Sequence, residues 1–273
     1  MKSIKNIVDF YINSSVHVAF AVFSFVRITE IYFQLPFQKN LNFFIFFATI
    51  TGYNFVKYAG VAKLHHRSLT NSLKIIQFFS FFCFLFMCYF AAQIQIEILL
   101  YSVPFYCLTL LYAIPFLSGF SKNLREISYL KIIIVALVWV GFTFIIPLLN
   151  TSTHFGIKSV LLGVQRFLLV IVLLLPFDIR DVKYDAISLQ TIPKKIGVLK
   201  TKQLGVLLLV ICCILEYLAV ETNSLYLPFI LFFVMIFVFL IRSKMDQSKY
   251  YSSFWVESLP IFWWLFLLGF LNF

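Results

Sequence analysis

The stretch Ile75-Ile-Gln-Phe-Phe-Ser-Phe-Phe-Cys-Phe-Leu-Phe-Met-Cys-Tyr-Phe-Ala-Ala92 decides the fold class. It runs without a charge for almost the length that a helix needs to cross a bilayer, about 20 residues. Leu225 to Ile241 reads the same way. Runs of this kind are not confined to one place: of the 273 residues 62% are hydrophobic and only 12% charged, and mean hydropathy is +0.97. A soluble domain carries about twice that share of charge, because its exterior must be covered with polar groups. Lipid is the solvent that suits this composition. In lipid every backbone amide must be paired internally, so only helices or a closed barrel can span. A barrel would show short strands alternating apolar and polar residues. The continuous runs therefore predict an all-α, polytopic membrane protein forming one transmembrane domain over residues 1–273.

Nine segments fit the length rule: 13–35, 41–62, 73–92, 96–117, 131–149, 157–177, 204–220, 224–241 and 254–272. His17, Arg27 and Glu30 interrupt the first. With the N-terminus in the cytoplasm, 18 of the 22 basic residues fall on the cytoplasmic side, among them Lys57, Lys122, Lys131, Lys194 and Lys244. Outer loops keep only Lys39 and Lys158, while Arg27 and Arg166 lie within spans. Positive loops favour the cytoplasm, so this asymmetry sets the expected orientation and accounts for the net charge of +11. The basic excess thus needs no nucleic-acid partner. The expected location is a bacterial inner membrane. No secretory leader is expected, since Lys2 and Lys5 are followed by Asp9 and not by a short apolar stretch with a cleavage site. The five cysteines all fall in apolar runs, without the spacing of a zinc site.

Acidic residues are scarce enough for their positions to be informative. No aspartate occurs between Asp9 and Asp178, and then three come within eight residues: Asp178, Asp181 and Asp185, in Pro176-Phe-Asp-Ile-Arg-Asp-Val-Lys-Tyr-Asp185. On a helix, steps of three and seven residues turn by about 300° and 700°, so all three carboxylates share one narrow stripe roughly 10 Å long. Like charges this close call for a cation, and carboxylate oxygens together with substrate phosphates suit magnesium. The plainer alternative is a solvated helix end whose acids pair with Arg180 and Lys183. Downstream, Thr191-Ile-Pro-Lys-Lys-Ile-Gly197 supplies Lys194 and Lys195, which could hold a phosphate as point charges.

With these residues in view, the sequence resembles the UbiA-type intramembrane aromatic prenyltransferases. The aspartate segment 178–185, followed by Thr191-Ile-Pro193 and Gly197, is similar to that family's second aspartate-rich motif, and the nine-span layout matches throughout. Leu111-Tyr-Ala-Ile-Pro through Leu130-Lys131 is similar to its connection between the fourth and fifth helices. The resemblance implies a lateral, lipid-open cavity. It implies Mg2+ on Asp178, Asp181 and Asp185, and a polyprenyl diphosphate held there with help from Arg180, Lys194 and Lys195. The reaction implied is transfer of the prenyl group to an aromatic or quinone-precursor acceptor. One departure is large. The family's first motif, Asn-Asp-x-x-Asp, should appear near Asn54, but Phe55 and Tyr58 occupy its aspartate positions, and no acid occurs from Ile31 to Ile96. This leaves two readings: an enzyme in which Lys57, beside Asn54, replaces the missing metal, or a silent relative that binds an isoprenoid lipid or a partner. A small-solute transporter is disfavoured, since no repeat with interrupted helices is evident.

Other polar residues carry weaker expectations. Arg166, mid-span, should find Gln165 or a backbone carbonyl; Arg27 and Glu30, one helical step apart, should satisfy each other. His17 reads as a polar residue inside the bundle, His65-His66-Arg67 as a solvated loop, and Trp255 and Glu257 as interfacial residues.

Overall fold

The computed structural model describes residues 2–64, 71–113, 130–183, 191–220 and 223–271, and among these there is no strand. The elements are α1 (Lys2–Asn13), α2 (Val16–Tyr32), α3 (Lys39–Leu64), α4 (Asn71–Ala91), α5 (Ile96–Ala113), α6 (Leu130–Val140), α7 (Ile146–Asn150), α8 (Ile157–Asp181), α9 (Ile192–Ile196), α10 (Val198–Ala219), α11 (Asn223–Arg242) and α12 (Leu259–Phe270). A π-helical turn at Gly141–Ile145 joins α6 to α7, and another at Tyr251–Val256 precedes α12.

Among the described residues seven helical stretches are long and apolar enough to cross a membrane, and the bent pair α1–α2 makes an eighth. The protein is an integral, multi-pass membrane protein. The remaining expected segment is α3, whose 26 residues would reach about 39 Å. Its polar residues keep it below the same level of hydropathy, and they are the ones that face inward. Asn42 donates to Glu30, Asn54 bonds to the α1–α2 turn, and Thr49 and Lys57 line a cavity. The polarity of α3 thus reflects what it does inside the bundle.

Helix contacts close a circuit. α2 packs on α3, α3 on α5, α5 on α6, α6 on α8, α8 on α10 and α11, α11 on α12, and α12 returns to α2. α4 lies along the outer side of α3 and turns Phe78, Phe81, Phe86 and Tyr89 outward, as a lipid-facing helix does. On the inner side Trp263 stacks on Phe232 at 4.4 Å and meets Phe25 and Phe229 edge-on, so three helices share one aromatic centre.

The expected interruption of the first segment is a real break. α1 and α2 meet at 58° around buried Ser14 and Ser15, with Ser15 at φ 63°. Each π-turn also offers a carbonyl to a side chain of α2, as widened turns can. Thr29 Oγ1 donates to the Thr143 carbonyl at 2.7 Å, and His17 Nε2 donates to the Phe254 carbonyl at 2.8 Å. A carbonyl only accepts, so His17 carries its proton on Nε2, and Nδ1 accepts from the Tyr11 hydroxyl at 3.0 Å. His17 is therefore a bundle residue, as expected. Arg27 pairs with Glu30, and Arg166 donates to the Phe25 carbonyl at 3.0 Å while lying over the Phe25 and Trp263 rings. Both satisfy the sequence expectation with partners inside the fold.

Candidate active site

The circuit of helices encloses a cavity of about 530 Å3, within the size range of small-molecule sites. Its depth follows from helix register. On α3 the wall runs from Ile45 to Lys57, on α6 and its π-turn from Lys131 to Phe142, and on α8 from Val170 to Asp181. At 1.5 Å per residue each run covers roughly 16–18 Å. In all three the charged residue stands at the same end, which gives the cavity one charged pole and a long apolar body. Val22, Ile45, Val138, Trp139, Phe142 and Leu174 line the body. Lys57, Lys131, Asp178, Arg180, Asp181, Lys249 and Glu257 line the cavity from the helix ends.

The aspartates sit where helical periodicity puts them. α8 continues unbroken through Asp181, so Asp178 and Asp181 share one face and both reach the cavity. Asp185, His65, His66 and Arg67 lie outside the described residues, as does most of the expected connection between the fourth and fifth spans. Asp178 is buried at 2% exposure and accepts from Lys131 Nζ at 2.9 Å. Asp181 accepts from Arg180 Nε at 2.7 Å. Lys183 pairs with Asp246.

Lys57 lines the cavity, and its ammonium is fixed from behind by Ser15 Oγ at 2.9 Å and the Ile12 carbonyl at 3.4 Å. The α1–α2 break thus positions this lysine. Asn54 does not share its role. It is buried away from the cavity wall, accepting from Ser15 Oγ at 2.8 Å and donating to the Ser14 carbonyl at 3.0 Å and to Ser80 Oγ at 2.6 Å. Both side chains meet Ser15 Oγ, but only Lys57 extends on to the cavity wall. Phe55 is 42% exposed on the outer side, and the Tyr58 hydroxyl donates to the Asn13 carbonyl at 2.9 Å.

Lys194 and Lys195 are also set apart from the wall. They ride on α9, which Pro193 opens with its ring buried, and Gly197 closes it at φ 82°, a conformation that favours glycine. Neither lysine is among the residues that line the cavity. Lys131, Lys249 and Glu257 line it but are not evident as site residues in the sequence. There Lys131 and Lys249 bear only on topology and Glu257 reads as interfacial, yet all three face the cavity. The usable signal is that an ionisable residue within a span is costly and so has a task. Trp255, by contrast, is 48% exposed, in keeping with the interfacial reading.

Two carboxylates on one helix face suit a magnesium ion that completes its shell with substrate phosphates and water. Asp178 and Asp181 are such a pair, and each already balances its charge with a neighbouring cation. Among the described residues no group of three or more His, Cys, Asp or Glu could form a self-contained metal cage. The donor set therefore fits a metal that arrives with phosphate.

Comparison of the whole backbone with solved structures then decides the fold. A UbiA homolog from Archaeoglobus fulgidus, solved bound to GPP and Mg2+, superposes with a TM-score of 0.61 over 97% of this chain and 100% of its own, at 14% sequence identity. The chain has the UbiA fold. The same homolog bound to DMAPP and Mg2+ gives 0.61 over 97% of this chain and 99% of its own, again at 14% identity. A structure of digeranylgeranylglyceryl phosphate synthase in membranes gives 0.57 over 100% of both chains at 15% identity. No family profile matches the sequence, and no curated protein matches it. The UbiA fold is thus retained over the full length of a sequence that shares about one residue in seven with these structures. The resemblance read from the aspartate segment and the span layout holds at the level of fold.

Proposed function

We propose that the protein transfers a prenyl group from an isoprenoid diphosphate to an aromatic or quinone-precursor acceptor, releasing pyrophosphate. The observation that carries this reading is the polarity of the cavity: one end of an apolar chamber is ringed by lysine, arginine and aspartate side chains. That shape matches a ligand with a long hydrocarbon tail and a highly charged head. Solved proteins of the same fold were bound to GPP or DMAPP together with Mg2+, which agrees with such a ligand.

In this reading Asp178 and Asp181 hold a magnesium ion that enters with the diphosphate, with Asp185 following them in sequence. Bound there, the ion supplies positive charge for the departing phosphate. The chain's own residues do the rest. Lys57 is pre-set by Ser15 and carries a charge where the resembled family has its first aspartate-rich motif. Lys131 and Arg180 pair with these two aspartates, and would be free to bind phosphate oxygens if the aspartates instead held the ion. Aimed cations of this kind stabilise the negative charge that develops as the allylic C–O bond breaks. The apolar body excludes water, and its aromatic faces can stabilise an allylic cation. Lys194 and Lys195, on the neighbouring α9, attract the anionic head without touching it. The basic asymmetry of the loops supports a cytoplasmic N-terminus and a charged pole that opens to the cytoplasm.

The test is binding of geranyl diphosphate to the purified, reconstituted chain, and pyrophosphate release from it, with magnesium and with chelator. Magnesium-dependent release supports transfer. Binding without release supports the silent relative, a reading favoured by the closed ion pairs of Asp178 and Asp181. Absence of binding under both conditions refutes the transferase reading.

A further inference from the structure

Three carboxylates line the cavity: Asp178, Asp181 and Glu257. The first two are ion-paired to Lys131 and Arg180. The Glu257 carboxylate makes no hydrogen bond or ion pair with any described residue, although Lys57 and Arg180 are its electrostatic neighbours. A carboxylate on a cavity wall without a hydrogen-bond or ion-pair partner is costly to maintain. Such a group belongs to a ligand, or to a step in a reaction.

The π-turn Tyr251–Val256 stands immediately ahead of Glu257. Ser253, Val256, Glu257 and Pro260 all face the cavity. The turn is fixed from outside by His17 on the Phe254 carbonyl and by Ser258 Oγ donating to that same carbonyl at 2.6 Å. Glu257 thus follows directly on a turn held by two side chains.

We infer that Glu257 is the general base of the site and accepts the proton that the acceptor must lose. This rests on the transferase reading above. In the step, the allylic C–O bond breaks and its electron pair leaves with the diphosphate. A ring carbon of the acceptor supplies its π pair to the allylic carbon, forming the new C–C bond. The hydrogen on that ring carbon passes as a proton to a Glu257 carboxylate oxygen, and its bonding pair restores the aromatic ring. No external oxidant or reductant is needed. Asp178 and Asp181 are less suited to this task, because each is committed to a cation.

The experiment uses the full chain in lipid nanodiscs, with geranyl diphosphate as donor and 1,4-dihydroxynaphthalene as acceptor probe. Product formation in Glu257→Gln should fall about 100-fold or more, the usual contribution of a positioned base. Its affinity for the unreactive thiolo analogue of geranyl diphosphate should stay within about threefold of wild type, a ratio worth well under one power of ten. Glu257→Asp should recover part of the rate and show a larger kinetic isotope effect with ring-deuterated probe, because proton removal then limits the reaction. A purely structural role would leave that isotope effect unchanged. Equal product formation by wild type and Glu257→Gln overturns the assignment to Glu257 while leaving the transferase reading intact. A wild-type protein that binds donor yet prenylates no probe removes the transferase reading, and this assignment with it.

Discussion

Replacing Lys131 with methionine tests whether the charged pole is an interior feature or a solvated helix end. The pair joins α6 to α8: Lys131 Nζ lies 2.9 Å from Asp178 Oδ1, with side chains 20% and 3% exposed. A pair this buried behaves unlike one at the surface. Removing a partner from a surface pair costs about 0–1 kcal/mol, whereas removing one from a buried pair costs about 3–5 kcal/mol, because a desolvated charge loses its counter-charge. Lys131→Met should therefore destabilise the protein by about 3 kcal/mol, more than a hundredfold in the unfolding equilibrium. Asp178→Asn should also destabilise, since it strands the lysine. The double variant should return to within about 1 kcal/mol of wild type, because a buried pair replaced by groups of similar size is often neutral. The assay is a double-mutant cycle by denaturant titration in mixed micelles, read by tryptophan fluorescence. A coupling below about 0.5 kcal/mol would refute the reasoning and return Asp178 to the status of a solvated helix end.

Four further outcomes are expected. Asn54→Ala should lower stability by about 1–3 kcal/mol through unpaired partners at Ser14, Ser15 and Ser80, yet leave the metal requirement for donor binding unchanged. Phe55→Asp puts a charge on an outer, 42% exposed position, so it should cost about 2–3 kcal/mol in lipid and restore no metal site; a gain in magnesium affinity would contradict this placement. Gly141→Ala places a Cβ 2.4 Å from the Phe105 ring, an overpacking of about 1–3 kcal/mol that the added change Phe105→Ala should partly relieve in thermal unfolding. Reporters fused near Lys194 should read cytoplasmic and near Thr153 external; the reverse would put the charged pole on the other face of the membrane.

What the sequence determined by itself came from quantities that lipid constrains directly. Continuous apolar runs, the scarcity of charge and the bias of lysine and arginine point to an all-helical polytopic protein, because no other backbone arrangement with these runs is satisfied in hydrocarbon. The α8 stripe is also legible, since the relation of Asp178 to Asp181 depends on nothing beyond helical periodicity. Pairing across helices is not. Nothing local says that Lys131 turns to Asp178, or that Ser15, at a break between two helices, fixes Lys57. Asn54 shows the limit best: its residue type and position in the motif suggest chemistry, and three neighbours from the α1–α2 break and α4 make it a structural joint. Glu257 shows the converse. Along the chain it is an acid near a membrane boundary, and only the fold shows that it lines the cavity, next to a π-turn anchored by His17, 237 residues distant in sequence. Register within a helix is local, but which side chains meet across the bundle depends on packing that only the tertiary structure decides.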